Sequence, residues 1–359
     1  MNYHACLAHF PKITYLRYAR LKAHFFNLQN LWQAELDEIV KAGLEENIAY
    51  EFLVWKDENP PEKILEKLAK ENIYTVSLGE KNYPKLLAEI ADPPHTIFVR
   101  GTLPADDLPT LAVVGTRKMT PYGKHICEDL VNDSVSQGII VISGLALGID
   151  GVAHSSALSA KGITVAVLGS GIDRATIYPV AHQPLAEKII RQGGALISEY
   201  PPGFLPTQYS FPARNRIIAG LSLGTLVIEA PARSGALITA RCALDYNREV
   251  LAVPHAITSP TGEGPNNLIK LGAKLVSNSN DILETLNLQS VKQLMPANTL
   301  KIDNPIEEKI LNCLTKTPKN IDQIILESQL DSATTNSALM IMEINGLIKN
   351  LGGMNYIKK

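Results

Sequence analysis

Between residues 72 and 288, short, near-continuous apolar runs alternate with amphipathic helical runs, and this rhythm restricts the fold more than any other feature of the chain. The runs read as strands are 111–114, 139–142, 163–168, 195–197, 225–228 and 250–253. Helical segments at 122–137, 150–161, 182–192, 214–221 and 235–246 separate them. The strand runs lack the apolar–polar alternation of a half-exposed sheet. Burial of both faces accounts for that, so the expectation is α/β: a parallel sheet covered by helices on each side.

The flanks read differently. Residues 1–70 are helical in pattern, with Leu28, Leu31, Trp32, Leu36 and Ile39 at helical spacing and an acidic, solvated exterior that includes Glu35, Asp37, Glu45 and Glu58. Asn59, Pro60 and Pro61 interrupt them. Residues 289–303 are polar and read as a linker. In 304–359 three helices are expected at 306–314, 321–328 and 334–347, the third capped by Asp331 and Ser332. Gly352 and Gly353 then turn 348–351 back onto 354–357, which is the outline of a winged helix.

Charge narrows the partners. Lys plus Arg number 34 against 36 Asp plus Glu, a net charge of −2, so a nucleic-acid surface would have to be a local patch. Cys6, Cys127, Cys242 and Cys313 form no CxxC pair, and no histidine ligand spacing occurs, so reduced thiols and no metal site are expected. Residues 1–12 lack the apolar run of a signal peptide, and no stretch of about 18 apolar residues offers a membrane span. A cytoplasmic protein is expected.

Ligands of open α/β sheets bind beyond the strand C-termini, where strands give way to helices. Three of these junctions are glycine-rich: Gly115-Thr116-Arg117-Lys118; Ser143-Gly144-Leu145 through Gly148-Ile149-Asp150; and Gly169-Ser170-Gly171-Ile172-Asp173. Glycine admits a ligand close to the backbone, and unpaired amides opening a helix form a seat for phosphate. The expectation is that amides at 115–116, 144–145 and 170–171 hold phosphates; the alternative is that the glycines serve tight turns alone. Neither Gly-x-Gly-x-x-Gly nor Gly-x-x-x-x-Gly-Lys occurs, so no dinucleotide or nucleoside triphosphate cofactor is expected.

Phe211 precedes a predicted helix with Pro212 at its first position, followed by Arg214, Asn215 and Arg216. An aromatic ring beside cations suits single-stranded DNA, the base stacking and arginine holding phosphate. A buried staple is the structural alternative for Phe211. Arg214 and Arg216 are two apart and cannot share a helix face. One would meet DNA and the other would pair with a carboxylate or cap carbonyls inside the fold, and the sequence leaves open which. Asp150 and His154 would meet at helical spacing, as a catalytic pair or, on the reading favoured here, as a structural hydrogen bond fixing the 144–148 turn. Glu229 and Ser234-Gly235 could take a ribose hydroxyl or cap a helix.

With these residues in view, the sequence resembles the DNA processing protein A (DprA/Smf) family. The resemblance is carried by Val113 through Arg117 with Tyr122-Gly123; Ser143 through Ala146 with Gly148-Ile149-Asp150; and Gly169 through Asp173 with Tyr178-Pro179. It continues through Ser198-Glu199-Tyr200-Pro201-Pro202-Gly203, Phe211-Pro212 with Arg214 through Ile218, Glu229-Ala230, Ser234-Gly235 and Gly264 through Ile269. Tyr83-Pro84 and Asp92-Pro93-Pro94 resemble the family's lead-in. The resemblance implies a helical, SAM-like domain at 1–70, an extended Rossmann-like domain at 71–288 and a winged-helix-like domain at 304–359. It also implies single-stranded DNA binding, protection of incoming DNA and loading of the RecA recombinase in natural transformation, a homodimer through the Rossmann domain, and neither catalysis nor cofactor. One departure is Gln208, where many relatives carry a basic residue; glutamine can bond phosphate but adds no charge. The glycine turn that relatives often have near the N-terminus is replaced by Pro11-Lys12-Ile13-Thr14, so that domain is given no DNA role.

Two other readings compete. A nucleoside-phosphate hydrolase on a related scaffold would have to work through Glu199 or Asp150 alone. A regulator reading duplex DNA through the 334–347 helix would lack any Arg or Lys there for phosphate.

Overall fold

A computed structural model describes residues 1–288, 304–315, 317–344 and 347–358; the linker expected at 289–303 lies outside the described residues. The chain divides into two compact units, Met1–Leu294 and Met295–Lys359. None of the described helices is long and apolar enough to cross a membrane.

In the first unit the described strands are β1 (Tyr74–Ser77), β2 (Thr96–Gly101), β3 (Thr110–Val114), β4 (Ile140–Ser143), β5 (Thr164–Val167), β6 (Ala195–Ser198), β7 (Gly224–Val227), β8 (Glu249–Ala252) and β9 (Lys274–Leu275). They form one sheet in the order β1-β2-β6-β5-β4-β3-β7-β8-β9. From β6 to β9 every pairing is parallel, while β2 runs antiparallel to β6 and β1 antiparallel to β2. The six strands expected from the apolar runs are all present, shifted by a residue or so. Three were not predicted. Within β2 the apolar run is broken by Arg100, a buried cation paired with Glu187 at 2.8 Å. The β9 strand is Lys274 and Leu275 alone, both exposed and too short a run to show a pattern.

Both sheet faces are buried, which explains the unalternating strands. Val114, Ile142, Val165, Ile197 and Val227 face one helical layer with Ile217 and Ala240. Leu111, Val113, Val141, Leu226 and Leu251 face the other with Cys127, Val131, Ala153 and Ile282. Each large aliphatic side chain so buried contributes about 1.5–3 kcal/mol. Strand order reverses between β3 and β7, and the crevice beyond their C-termini is where such a fold seats ligands.

Helices Tyr3–Leu7, Tyr15–His24, Leu28–Gln33, Leu36–Lys41, Glu46–Glu58 and Pro61–Lys70 precede the sheet. The periodic run from Leu28 to Ile39 is two helices, because Ala34 and Glu35 are extended between them. Leu28, Leu31 and Ile39 still share one core with Tyr18 and Phe52. A further cluster joins Ala5, Cys6, Ile64 and Leu68 to Phe98, Leu168 and Ile172 of the sheet unit.

The second unit is a winged helix: helices Pro305–Cys313, Ile321–Ser328 and Ser332–Ile344 with β10 (Lys319–Asn320), β11 (Ile348–Asn350) and β12 (Asn355–Lys358), ordered β10-β12-β11. Ile310, Ile324, Leu339, Met342 and Ile348 form its core. Asp331 caps the third helix, accepting from the Thr334 amide at 2.9 Å. The expected extension of that helix to 347 runs through 345–346, outside the described residues.

Candidate nucleic-acid interface

A cleft of about 780 Å³ lies at the crevice beyond β3 and β7. Its lining includes Gly115, Thr116, Arg117, Lys118, Gln208, Phe211, Arg214, Asn215, Arg233 and Gly235. The glycine-rich junctions therefore converge with the Phe211 segment, but most of their polar groups face inward.

The expected ledge of free amides is corrected by the structure. The Thr116 amide donates to the Glu229 carbonyl at 2.7 Å, and the Gly171 amide to the Phe204 carbonyl at 2.9 Å. The Gly144 amide donates to the Asp150 carboxylate at 3.2 Å; burial raises the pKa of that carboxyl, and the Arg214 charge and the neighbouring Ala146, Gly144 and Gly115 amides oppose the rise. Leu145 and Ser170 are buried, the Ser170 hydroxyl donating to the Gly171 carbonyl. Ser143 is buried too, its hydroxyl donating to the Val113 carbonyl at 2.6 Å. The physical reason is electrostatic. A helix N-terminus attracts the nearest anion, and here the chain supplies one. Asp150 sits in the first turn of helix Ile149–Ser159. Glu229, fully buried, accepts from the Thr120 amide at 2.8 Å and the Thr120 hydroxyl at 2.6 Å where helix Pro121–Ser136 begins. The two loops are also locked together. The Ile149 amide donates to the Thr116 carbonyl, and a Cβ at Gly148, whose φ is 79°, would strike that same oxygen.

The choice between Arg214 and Arg216 resolves unexpectedly, since both turn into the protein. Arg214 is 4% exposed and its guanidinium donates to the Gly144 carbonyl at 2.6 Å and to the Val167 carbonyl, capping the ends of β4 and β5. Burial lowers its pKa to about 10, Arg117 adds to the fall, and Asp150 opposes it. The guanidinium therefore stays charged at neutral pH. Arg216 pairs with Glu199 at 2.6 Å and with Asp92 at 3.2 Å. Asn215 donates to the Gly235 carbonyl at 3.1 Å. Asp150 and His154 do not form a pair. His154 shares a hydrogen bond with the Thr164 hydroxyl at 2.7 Å, and burial pushes its pKa down to about 3.

What remains outward is compact. Helix Ser210–Gly220 starts earlier than expected, so Phe211 and Pro212 lie in its first turn. Proline costs nothing there, because first-turn amides lack intrahelical acceptors. Thr207 and Ser210 exchange side-chain-to-amide bonds at 2.9 and 3.1 Å, which sets the entry angle. Phe211 lies against Gly169, where a Cβ would come within 3.1 Å of the ring, so that glycine positions the aromatic. The Arg117 guanidinium lies over the Phe211 ring, 5.4 Å from its centre, and Tyr178 flanks the ring at 5.7 Å. Arg117, Lys118, Gln208 and Arg233 are exposed, and no carboxylate among the described residues is in ion-pair reach of these three cations. Of the helices opening into the cleft, Gly235–Asp245 is capped by a neutral side chain, Ser234, which accepts from the Ala236 amide at 3.3 Å. The cleft thus offers three exposed cations, a half-buried ring and one positive helix end.

Sequence reasoning assigned no role at the site to Tyr178 or Arg233. Arg233 was findable, since it immediately precedes a helix cap in the loop after a switch-point strand. Tyr178 reaches Phe211 only through the fold.

Comparison with known proteins agrees with this architecture. The family model for DNA recombination-mediator protein A matches residues 74–287, and that for the DprA winged helix domain matches residues 295–354. Protein Smf of Escherichia coli (strain K12) is 44% identical over 264 residues, 71% of this chain and 68% of that protein. Protein Smf of Synechocystis is 33% identical across 95% of this chain and 94% of that one. The X-ray structure of DNA processing protein A from Streptococcus pneumoniae superposes with a TM-score of 0.66 at 33% identity, covering 79% of this chain and 95% of that chain. A Helicobacter pylori structure, described as giving insight into the unique single-stranded DNA binding mode of DNA processing protein A, gives 0.54 at 30% identity, covering 60% of this chain and 95% of that one. With an extended parallel sheet and a winged helix in one chain, and family models covering both, this protein belongs to the DNA recombination-mediator protein A (DprA/Smf) family.

Proposed function

We propose that the chain binds single-stranded DNA in the cleft beyond β3 and β7, and that it protects incoming DNA and loads RecA onto it during natural transformation. The observation that carries the binding reading is the set of three exposed cations, with no ion-pair partner among the described residues, that line one cleft with the Phe211 ring, Arg117 lying over it. Arg117, Lys118 and Arg233 take phosphates, Phe211 stacks a base, and Gln208 hydrogen-bonds the backbone. The relative from Helicobacter pylori, described by its single-stranded DNA binding mode, supports the ligand class. The remaining predicted residues act as scaffold: Gly115, Thr116, Ser143, Gly144, Leu145, Gly169, Ser170, Gly171, Arg214, Asn215 and Arg216 shape the cleft.

The reading is of a cytoplasmic protein that binds without turnover, and the carboxylates near the cleft fit the absence of turnover. Asp150 and Glu229 occupy the helix ends where a nucleotide's phosphates would sit, and Glu199 is held by Arg216. A homodimer through the sheet domain is supported by the exposed Leu271 and Leu275 at the β9 edge.

The test is an oligothymidylate titration at several salt concentrations with Arg117→Ala and Phe211→Ala. Phe211→Ala should lose about 1–3 kcal/mol of binding. Arg117→Ala should flatten the log–log salt slope by roughly 0.7. Wild-type isotherms from both variants would refute the site. Release of base from nucleoside monophosphates, abolished by Glu199→Gln, would favour the hydrolase reading instead.

A further inference from the structure

Beside the cleft lies a second hollow of about 800 Å³, lined by Arg174, Ile177, Val180, Gln183, Pro184, Glu187, Lys188 and Arg191. Arg174, Lys188 and Arg191 are exposed. The acid among its lining, Glu187, is already held by buried Arg100 at 2.8 Å and meets Arg174 at 3.3 Å. Lys188 and Arg191 have no ion-pair partner among the described residues. Their place in the last turn of helix Gln183–Arg191 suits its negative end, which explains their sign. It does not explain why Arg174, from a different element, joins them around one hollow.

The segment 177–180 links the hollow to the cleft through one ring contact. Ile177 and Val180 line the hollow, while Tyr178 between them contacts Phe211 in the cleft. Tyr178 and Val180 are exposed, at 45% and 67%, so the crest of this segment is an accessible aromatic and aliphatic surface. The loop leading to it is rigid: the buried Asp173 carboxylate accepts from the Thr176 hydroxyl at 2.6 Å and from the Gly203 amide at 2.8 Å. An aromatic crest with cations on both sides is the pattern that tracks a polynucleotide, bases over the ring and phosphates in the hollows.

We propose that this hollow is a second phosphodiester-binding basin, into which a single strand held in the cleft continues over Tyr178. The proposal rests on the reading of the cleft as a DNA site and extends it to a longer strand. Binding of short and long oligothymidylates, about 6 and about 20 nucleotides, by the Arg174→Ala, Lys188→Ala, Arg191→Ala triple variant separates the two. The short oligomer should bind as to wild type. The long one should bind about tenfold more weakly at low salt, with a slope flatter by roughly 2. A double Lys188→Ala, Arg191→Ala variant keeps the Arg174–Glu187 pair and should show most of the same loss. If both variants bind the long oligomer as wild type does while Arg117→Ala weakens both lengths, the basin is overturned and the cleft stands. If Arg117→Ala changes neither length, the cleft fails and this inference fails with it.

Discussion

Asp150→Ala is the most direct perturbation of the site's scaffold. The carboxylate is buried, accepts the Gly144 amide at 3.2 Å, and is favoured as the anion by the Arg214 charge and the nearby Ala146 and Gly115 amides against the burial that raises its pKa. Removing it leaves the buried Arg214 guanidinium without the negative charge that favours it and the Gly144 amide without its acceptor. Leaving a buried donor without its acceptor costs about 1–3 kcal/mol, against a total stability of about 5–15 kcal/mol for a folded domain. The variant should remain folded and lose about 1–3 kcal/mol of stability, read as a lower urea midpoint by circular dichroism and by the fluorescence of Trp32 and Trp55. The double variant Asp150→Ala, Arg214→Met removes the orphaned charge and should recover at least about 1 kcal/mol relative to the sum of the single losses. Sulfate should stabilise Asp150→Ala more than wild type, because an anion can then occupy the vacated helix end. A loss below about 1 kcal/mol for Asp150→Ala, or strict additivity in the double variant, would refute the view that this carboxylate closes the helix end.

Acid should destabilise the protein early. Burial lowers the pKa of His9 and His95 to about 4 and of His154 to about 3, from 6.5. The unfolded chain therefore takes up these protons first; stability is full above pH 6.5 and falls as pH drops toward 4, by at most about 1.4 kcal/mol per pH unit for each group. Urea midpoints at pH 7 and 5 measure it, and His154→Gln should recover part of the drop; a pH-independent midpoint would sink the argument. Leu271→Asp, on an exposed side chain beside the β9 edge, should leave the fold intact and shift the protein toward monomer in light scattering. An unchanged mass would place the dimer contact elsewhere.

Much of the fold was legible because a parallel sheet leaves a chemical trace. Strands buried on both faces must be predominantly apolar, and β3 to β8 are, their Thr and Ser residues being buried and the charged Glu249 lying at the exposed start of β8. β2 was hidden by the single charge of Arg100, whose partner Glu187 lies 87 residues away. β9 was hidden because two exposed residues at an edge are too short a run to show a pattern. The winged helix was readable from its caps and its glycine turn, except for the two-residue β10.

At the site, the sequence determined which residue types gather beyond the strand ends, since the glycines, cations and Phe211 lie in the junction loops. Only the tertiary structure decided which of them face solvent. Arg214 and Arg216 look alike in sequence, and both are drawn inward by acceptors from distant segments: the Gly144 and Val167 carbonyls for one, Glu199 and Asp92 for the other. Asp150 and Glu229 close two helix ends that sequence alone presents as free, because a buried carboxylate is stable only where several donors converge on it, and that convergence is a property of packing.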